Sequence, residues 1–447
     1  IYNFSVYLLL SVWLFTLLFR THRSPNFPPG PRPIPIFGNL LELDLENPLA
    51  DLRRLSKQYG NVYSVFIGSK PVVVLNGFQA IKEALVNKGN DFSGRAQDLM
   101  HWTAEAPGVI LADYSSAWRE QRRFGLMTLR NYGLGKDSME QRILGEVNTL
   151  MKLMEQSLGQ TLRPQLIFHC ASSNIISQIL FAQQHNYEHE FMKFFVTLFH
   201  ETSKIINGRW GMLYDSFPFI RFLPLPFRRA FTLFQVIRDD SKKTRVRGKP
   251  RHLIDCYLDE LDKVNDGSSF SEENLLSLLL DFHFAGTDTT ANTLLTAFLY
   301  LMNYPQVQER CQKEIDEVLD GKDQVRFEDR HEMHYTQAVL HEVQRVADTG
   351  TLIIPNLSST LTEEGFGKTP PLQPHNFLND EGQFVKPENF IPFSNLARME
   401  LFLIVVTLLR RFSFIWPEDG GTPDFTLFMG QPRPQTYGMK VQLRPTP

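Results

Sequence analysis

Cysteine is scarce in this sequence. The 447 residues include only Cys170, Cys256 and Cys311, and no two of them have the close spacing of a C-x-x-C motif. Disulfide-rich scaffolds and zinc sites of the common kinds need such pairs. The scarcity therefore argues against a disulfide framework and a zinc site, and it is typical of a chain that folds in a reducing compartment.

An excess of charge of one sign is also lacking. The 46 basic and 49 acidic side chains leave a formal net charge of −3, so nothing indicates the basic surface that a nucleic-acid partner requires. The chain has no internal repeat and no long low-complexity run. Apolar residues, by contrast, are abundant at 43%, with 36 Phe. That is enough for a large single core or for two domains.

The first segment of the chain is uncharged. Residues 1–19 contain no Asp, Glu, Lys or Arg, and about 19 apolar residues just span the core of a bilayer. Basic residues follow at once and favour a cytosolic position for this end. We therefore predict a membrane anchor at 1–19, retained because no small-residue cleavage site is present. Residues 20–38 form a basic and proline-rich hinge, and 39–447 form the globular body.

The longest apolar helix is predicted over residues 270–304. Ser271 is the expected N-cap, and Pro305 marks the far end. A helix of this length measures roughly 45 Å, and it is apolar on every side, as in a buried helix or a membrane span. Asp281, His283 and Asp288 argue against a span, so we predict the central helix of a large core, with His283 in a structural role.

The middle of this helix, residues 285–290, reads AGTDTT and replaces bulky residues by small and hydroxylated ones. Ala285 and Thr289 are four residues apart and share a face. Gly286 costs roughly 1 kcal/mol relative to Ala in a helix interior, so the site needs room. Two interpretations remain open at this point: a functional groove, or a close helix–helix crossing with threonines bonded back to the helix.

Two further pairs of residues are candidates for a site. Trp118 and Arg122 lie one turn apart and present an indole donor and a guanidinium to one anionic partner; the alternative is a solvated basic face with one anchoring Trp. Glu342 and Arg345 are three residues apart and can pair on one helix face. An exposed pair of this kind contributes well under about 1 kcal/mol. Arg95 is another candidate for an anion site.

The remaining pattern predicts a mainly helical protein with a small β part. Helices are expected at 50–59, across most of 78–149 and 150–260, and at 305–319, 330–348 and 396–412; strands are expected at 62–67, 71–75 and in the tail; loops are expected at 210–227 and 349–392.

Several motifs stand in one order along the chain: the uncharged anchor, P-P-G-P, W-x-x-x-R, A-G-T-D-T-T, E-x-x-R, and a proline-rich meander before an apolar helix. In this combination the sequence resembles a microsomal cytochrome P-450, most of all the vertebrate drug- and fatty-acid-oxidising group called family 2. The resemblance runs from about Pro28 to the tail and includes WREQRRFGLMTLRNYGLGK, VRFEDRHEMHYTQAVLHEVQR and LARMELFL. It implies a prism of helices around one long central helix, with a small sheet region.

The resemblance also implies roles for the central helix. Asp288 and Thr289 match the acid–alcohol pair that delivers protons during oxygen activation in this family. Ala285 and Gly286 match the groove that makes room beside a haem. These residues are therefore expected to line the oxygen-binding side of a cofactor site.

Other residues match the family's haem-edge and core positions. Trp118 and Arg122 match contacts of the haem propionates, and Arg95 resembles a third such contact. Glu342 and Arg345 match a buried E-x-x-R pair. That pair has a third partner in the family, and the sequence leaves open whether His375 or Asn376 takes this place; they are part of the meander, Pro374-His375-Asn376-Phe377.

The activity implied by the resemblance is that of a haem-thiolate monooxygenase at the endoplasmic reticulum membrane, with its body facing the cytosol. It would oxidise lipophilic small molecules such as fatty acids, steroids and xenobiotics, using O2 and electrons from NADPH. The implied partners are NADPH–cytochrome P-450 reductase and cytochrome b5, with Arg119, Arg123 and Lys136 as docking charges.

The sequence departs from the family in two blocks. The family's glycine-rich F-x-x-G-x-R-x-C-x-G loop should precede the apolar helix, but Ser394 is followed directly by Asn395, and the axial cysteine is missing. A second block, a strand with its turns, is missing around 349–351. No metal ligand is therefore assigned. The rival hypothesis is a non-catalytic P-450-like membrane protein, or a mis-spliced or truncated product, with weak or no haem binding.

Overall fold

The structure is a computed structural model. It describes residues 11, 26–35, 37–44, 49–95, 108–110, 112–132, 137–190, 192–193, 196–197, 238–239, 242–263, 268–347, 358–361, 372–388, 390, 395–425 and 436–445.

Helices dominate the described residues. They are α1 Leu49–Tyr59, α2 Phe78–Lys82, α3 Ser116–Asn131, α4 Asp137–Gln156, α5 Pro164–Leu180, α6 Leu253–Leu261, α7 Glu272–Asn303, α8 Pro305–Val318, α9 His334–Ala347 and α10 Asn395–Arg411. Short 3-10 turns lie at Leu40–Glu42, Phe327–His331 and Pro374–Phe377, and a π-turn lies at Glu83–Asn87. The prediction of a mainly helical protein is confirmed.

The central helix α7 begins and ends where the sequence predicts. The hydroxyl of Ser271 accepts a hydrogen bond from the backbone N–H of Asn274 at 3.1 Å, which caps the helix. Pro305 opens α8 immediately afterwards, as expected for a residue without a backbone donor. Most of the α7 side chains are buried in the largest hydrophobic core of the described residues.

Helix α5 packs most closely against α7. The rings of Phe168 on α5 and Phe298 on α7 are stacked with centroids 5.1 Å apart. Nearer the middle of α7, a Cβ added at Gly286 would lie 3.1 Å from the Ile176 side chain. The two helices therefore approach closely at this glycine, and helices α4, α6, α8, α9 and α10 complete the same core.

Two small sheets flank the helices. Strands β1 Val62–Ile67 and β2 Lys70–Asn76 form the predicted antiparallel hairpin, and β4 Ser358–Leu361 pairs with β2 in parallel. The prediction of loop throughout 349–392 is therefore wrong at β4, because four residues with no alternating pattern gave no local strand signal. The second sheet has the order β3-β6-β5, with β3 Thr161–Leu162, β5 Phe412–Ile415 and β6 Met439–Leu443, all antiparallel.

Some predicted features lie outside the described residues. These are the anchor at 1–19 apart from residue 11, the aromatic-rich loop at 210–227, and the junctions at 349–351 and 391–394. Within the ranges that the structure does describe, no helix has both the length and the apolar character needed to cross a membrane.

Candidate functional site

One face of α7 is open at the middle of an otherwise buried helix. Ala285 is exposed and Thr289 is half-buried, whereas Thr287, Asp288 and Thr290 are buried. Residues four apart lie on the same face of a helix, so Ala285 and Thr289 form one open strip. The small side chain of Ala285 leaves the helix surface accessible there. The strip lies where the AGTDTT sequence predicts room for a groove.

The helix–helix crossing that the sequence also allowed is present, but at another residue. Gly286 lies against Ile176 of α5, so its missing side chain serves close packing, and the room for a ligand comes from Ala285. The hydroxyl of Thr289 donates to the carbonyl of Ala285 at 2.6 Å. The helix crossing is therefore present on the α5 side of α7, and the functional groove stays a prediction for the opposite, open side.

A turn closes one end of the open strip. The carboxylate of Asp281, one turn before Ala285, accepts hydrogen bonds from the backbone N–H groups of Val109 (2.7 Å) and Ile110 (3.0 Å). Gly108 has φ +60°, and a Cβ there would collide with the Asp281 carboxylate, so only glycine fits. Burial raises the pKa of Asp281 to about 7, and the two hydrogen bonds oppose that rise.

The role of Asp281 was not predicted from the sequence. Its partners lie 171 and 172 residues earlier in the chain, and no local pattern links them. The available signal was an acidic residue within an apolar run, since such a residue needs hydrogen-bond partners when it is buried.

Two arginines lie beyond this turn. The indole N–H of Trp118 donates to the carbonyl of Val109 at 2.9 Å, and the guanidinium of Arg122 lies 5.3 Å from the centre of the Trp118 ring. Burial lowers the pKa of Arg95; the nearby Asp113 opposes this, and Arg122 adds to it. Since the indole donor is engaged by the backbone, an anion bound here would meet Arg122 and Arg95, and Trp118 would support Arg122.

Asp288 points away from the open strip. One carboxylate oxygen lies 3.4 Å from His169 Nε2 on α5, and the other accepts from the Asn292 amide at 3.1 Å. Consecutive residues on a helix are about 100° apart, so Thr289 faces the strip while Asp288 faces α5. The predicted acid and alcohol are therefore adjacent in the chain, but the structure does not bring their side chains together.

His283 belongs to the core between α5 and α7. Its ring nitrogens lie 3.3 Å and 3.2 Å from the hydroxyls of Ser173 and Ser177, and 3.4 Å from that of Thr287. Burial lowers the pKa of His283 to about 3, and His185 adds to this. A neutral histidine held by hydroxyls on the α5 side agrees with the predicted structural role.

The predicted pair on α9 is present and buried. Glu342 has no exposed surface, and its two oxygens accept hydrogen bonds from Arg345 at 2.7 Å and 2.8 Å. The backbone N–H of Gln373 donates to the same carboxylate at 2.9 Å, and the Asn376 amide does so at 3.4 Å. The choice that the sequence left open between His375 and Asn376 is thus decided in favour of Asn376.

Helix α10 contacts α7 through a buried carboxyl group. Glu400 is 1% exposed and is hydrogen-bonded to Thr290. Its Oε2 has no hydrogen-bond partner within the part of the chain that the structure describes. Burial raises the pKa of Glu400 to about 8, and the bond to Thr290 opposes that rise. The group is therefore protonated at neutral pH.

This burial predicts a pH-dependent stability. Between pH 4.5 and about 8 the folded chain keeps the Glu400 proton while the unfolded chain has lost it. The stabilisation is complete below 4.5 and falls by about 1.4 kcal/mol per pH unit as the pH rises through the window. A Glu400→Gln variant removes this loss, so its free energy of unfolding, measured by urea titration, is expected to rise relative to the parent as pH increases.

An exposed glutamate provides the control for this prediction. Glu317 on α8 is 66% exposed at its side chain, and Glu317→Gln should give a pH profile parallel to that of the parent. A parallel profile for Glu400→Gln as well would contradict the buried, protonated state of Glu400.

None of the three cysteines lies on the open strip. Cys170 lies on α5, near the negative charge of Glu146 on α4. The sulfur of Cys256 lies 3.5 Å from the Tyr132 hydroxyl. Cys311 is buried on α8 and is hydrogen-bonded to Thr336. Burial raises the pKa of all three thiols. Within the described ranges no three His, Cys, Asp or Glu side chains cluster as a metal site would require.

These features define a class of protein: a mainly helical molecule in which one long buried helix presents a short open strip, with two arginines at one end and an acidic residue behind it. A family model described as cytochrome P-450 matches residues 28–350 and 347–439. The chain belongs to the cytochrome P-450 family.

Individual relatives support this assignment. Mouse cytochrome P-450 2D10 is 35% identical over 486 aligned positions, which cover 98% of this chain and 94% of the mouse protein. Mouse cytochrome P-450 2F2 is 36% identical and covers 93% of this chain and 94% of its own length. Rabbit cytochrome P-450 2B4 is also 36% identical, over 93% of this chain and 94% of the rabbit protein. The predicted resemblance to family 2 is confirmed.

Both places where the sequence departs from the family pattern can be compared with the matched regions. The family model matches in two pieces that meet at residues 347–350, the place where a strand with its turns was predicted to be missing. The 486 aligned positions with the first mouse protein exceed the 447 residues of the chain. The mouse relative therefore contains residues that have no counterpart here.

The described residues fit one part of a haem site and not another. The open strip, with Ala285 exposed and Thr289 half-buried, suits the oxygen-binding side of a haem. The positive charges of Arg95 and Arg122, which lie near each other, suit its acidic edge. A cysteine thiolate, which holds the iron in cytochromes P-450, is not supplied: the three cysteines lie elsewhere, and the sequence has no cysteine after Cys311.

Proposed function

We propose that the open strip of α7 is the oxygen-side wall of a haem site for the oxidation of lipophilic small molecules. The observation that carries this proposal is the exposure of Ala285 at the midpoint of a buried helix. In the family, haem supplies the oxygen chemistry through its thiolate-bound iron. Fatty acids, steroids and xenobiotics are the proposed substrate classes, because the chain resembles the drug- and fatty-acid-oxidising family 2 and small-molecule sites are mostly apolar.

The protein's own residues have distinct parts in this proposal. Arg95 and Arg122 attract the acidic edge of the cofactor, and Trp118 fixes Arg122 in place by stacking. Thr289 presents its hydroxyl to the strip, one turn from Ala285. Asp288, whose carboxyl group lies on the α5 side of α7, is the acid that supplies protons to the open strip.

The membrane and its redox partners complete the proposal. Residues 1–19 anchor the protein in the endoplasmic reticulum membrane, with the globular body on the cytosolic side. NADPH–cytochrome P-450 reductase supplies electrons and cytochrome b5 is a second donor. Arg119 and Arg123, both exposed on α3, offer the positive surface for docking; Lys136, the third predicted charge, lies outside the described residues.

A second candidate is favoured by a specific observation, namely the direct joining of Ser394 to Asn395. With no thiolate donor, this exact polypeptide is a non-catalytic relative with weak or no haem binding. Clean loss of whole blocks between preserved flanks is typical of mis-splicing or an incorrect gene model, since gradual decay scatters changes. Sequencing of transcripts across Phe393 to Asn395 tests that origin: abundant messages that encode this junction would contradict it.

The reduced, carbon-monoxide difference spectrum of the expressed full chain separates the two candidates. A thiolate-type band would support a working monooxygenase. An imidazole-type band, or no haem absorbance, would support the non-catalytic relative. Limited proteolysis of the same sample shows whether the chain is folded, because a compact domain resists cleavage and an unfolded one does not.

A further inference from the structure

A buried histidine faces the acid behind the open strip. His169 on α5 is 4% exposed and Asp288 on α7 is 6% exposed. His169 Nε2 lies 3.4 Å from Asp288 Oδ1, and the Asn292 amide donates to Oδ2 at 3.1 Å. Both oxygens of the carboxyl group are therefore held on the side of the helix away from Thr289.

The other ring nitrogen decides where the protons lie. His169 Nδ1 is 2.7 Å from the backbone carbonyl of Gln165. A carbonyl oxygen only accepts hydrogen bonds, so Nδ1 carries a hydrogen. A neutral imidazole has a single N–H, and its Nε2 would then present a lone pair to Asp288. An ionised carboxylate also only accepts, so the contact is favourable when a proton lies between Nε2 and Oδ1.

We propose that His169 and Asp288 form one hydrogen-bonded unit in which a single proton, carried by Nε2 or by Oδ1, joins the two groups, and that His169 is a positioning residue for Asp288. The consequence for activity rests on the proposed function. When Asp288 gives a proton to a water molecule on the Thr289 side, the Nε2–H bond of His169 first breaks as an Oδ1–H bond forms, with the electron pair left on Nε2. The carboxyl group then turns away from α5, and the Oδ1–H bond breaks as the water takes the proton, which leaves a neutral imidazole and a carboxylate with one net negative charge. A proton from solvent then restores the pair to zero net charge.

The part of the chain that the structure describes contains a matched histidine with no carboxylate partner at the same ring position. His341 on α9 is also buried, and its Nδ1 lies 2.8 Å from the carbonyl of Gln337, four residues earlier, just as in His169. Its ring packs against Phe384 with centroids 4.5 Å apart. Burial lowers the pKa of His341 to about 4. It is therefore a neutral reference with the same backbone hydrogen bond.

Nitrogen NMR of the full chain with labelled histidine tests the shared proton at neutral pH. We expect His169 to carry a hydrogen on Nδ1 and to have a proton on or hydrogen-bonded to Nε2, and we expect this Nε2 signal to change in Asp288→Asn. His341 should keep a bare Nε2 in both proteins. Two results would overturn the proposal: a His169 that is protonated on Nε2 alone, or an Nε2 signal that stays unchanged in Asp288→Asn.

A double-mutant cycle gives an independent measurement. His169→Gln and Asp288→Asn should each lower the urea midpoint, and the double variant should lose clearly less than the sum, because the second change removes a partner already lost. The control cycle, His341→Gln with Asp288→Asn, should be additive. Additive losses in the first cycle would overturn the pair.

Neither measurement requires haem or turnover. Coupled His169 and Asp288 in a chain without haem absorbance would contradict the proposed function and leave the shared proton intact. A thiolate-type band together with an additive cycle would contradict the shared proton alone.

Discussion

Insertion of a cysteine-bearing loop between Ser394 and Asn395 is expected to change the protein from one without a thiolate-type carbon-monoxide band to one with it. The inserted segment completes the family pattern F-x-x-G-x-R-x-C-x-G, which begins at Phe393 in this chain. Its glycines allow a tight loop whose backbone N–H groups stabilise the sulfur anion, and its cysteine supplies the missing iron ligand. The expected effect is all-or-none, because the family's cysteine ligand comes directly before α10 and this sequence has no cysteine after Cys311.

The control for this experiment is the same insertion with serine in place of cysteine. It restores the chain length and the connection into α10 but offers no thiolate, so it should give no such band. A second variant also restores a strand and turns at 349–351, in case the loop alone does not fold. A thiolate-type band from the unaltered chain would contradict the prediction. The absence of the band from both repaired variants would also contradict it, provided that these variants resist proteolysis and are therefore folded.

Replacement of Glu342 by Gln is expected to lower the free energy of unfolding by roughly 3–5 kcal/mol, because it removes the charged, fully buried carboxylate of the ion pair with Arg345. The carboxylate of Glu342 is fully buried and accepts two hydrogen bonds from Arg345 and one from the Gln373 backbone. Domains are commonly stable by about 5–15 kcal/mol. The variant should therefore lose a large share of its stability, which urea titration measures.

An ion pair of the same residue types, in which the glutamate is exposed, is the control for that change. Arg330 and Glu328 are 3.2 Å apart, and the Glu328 side chain is 76% exposed. Glu328→Gln should cost less than about 1 kcal/mol, since solvent screens such pairs. Equal small losses in the two variants would show that the Glu342 pair contributes no more than a surface ion pair.

The central helix shows how far local signals reach. Its cap at Ser271, its end before Pro305 and its apolar circumference were all predictable, because capping and helix termination depend on neighbours in sequence. The pairing of Glu342 with Arg345 was predictable for the same reason, since residues three apart meet on a helix. The family resemblance then gave the expected burial of that pair, which the structure confirms.

Contacts between distant segments were not predictable in this way. His169 meets Asp288 across 119 residues, and Asp281 meets Val109 across 172. The sequence around each of these residues contains no pattern from which its distant partner could be predicted. Gly286 was expected to make room beside a cofactor, whereas the packing of α5 assigns it to a helix crossing.

The sequence by itself determined the helical class of this protein and the family it resembles, and it shows that no cysteine follows Cys311, because residue types and their order are covalent facts that no folding can change. Only the tertiary structure decided which side of α7 is open, which arginines lie at the end of the strip and which residue stands behind Asp288. Those outcomes depend on how helices pack, and packing brings together side chains that are far apart along the chain.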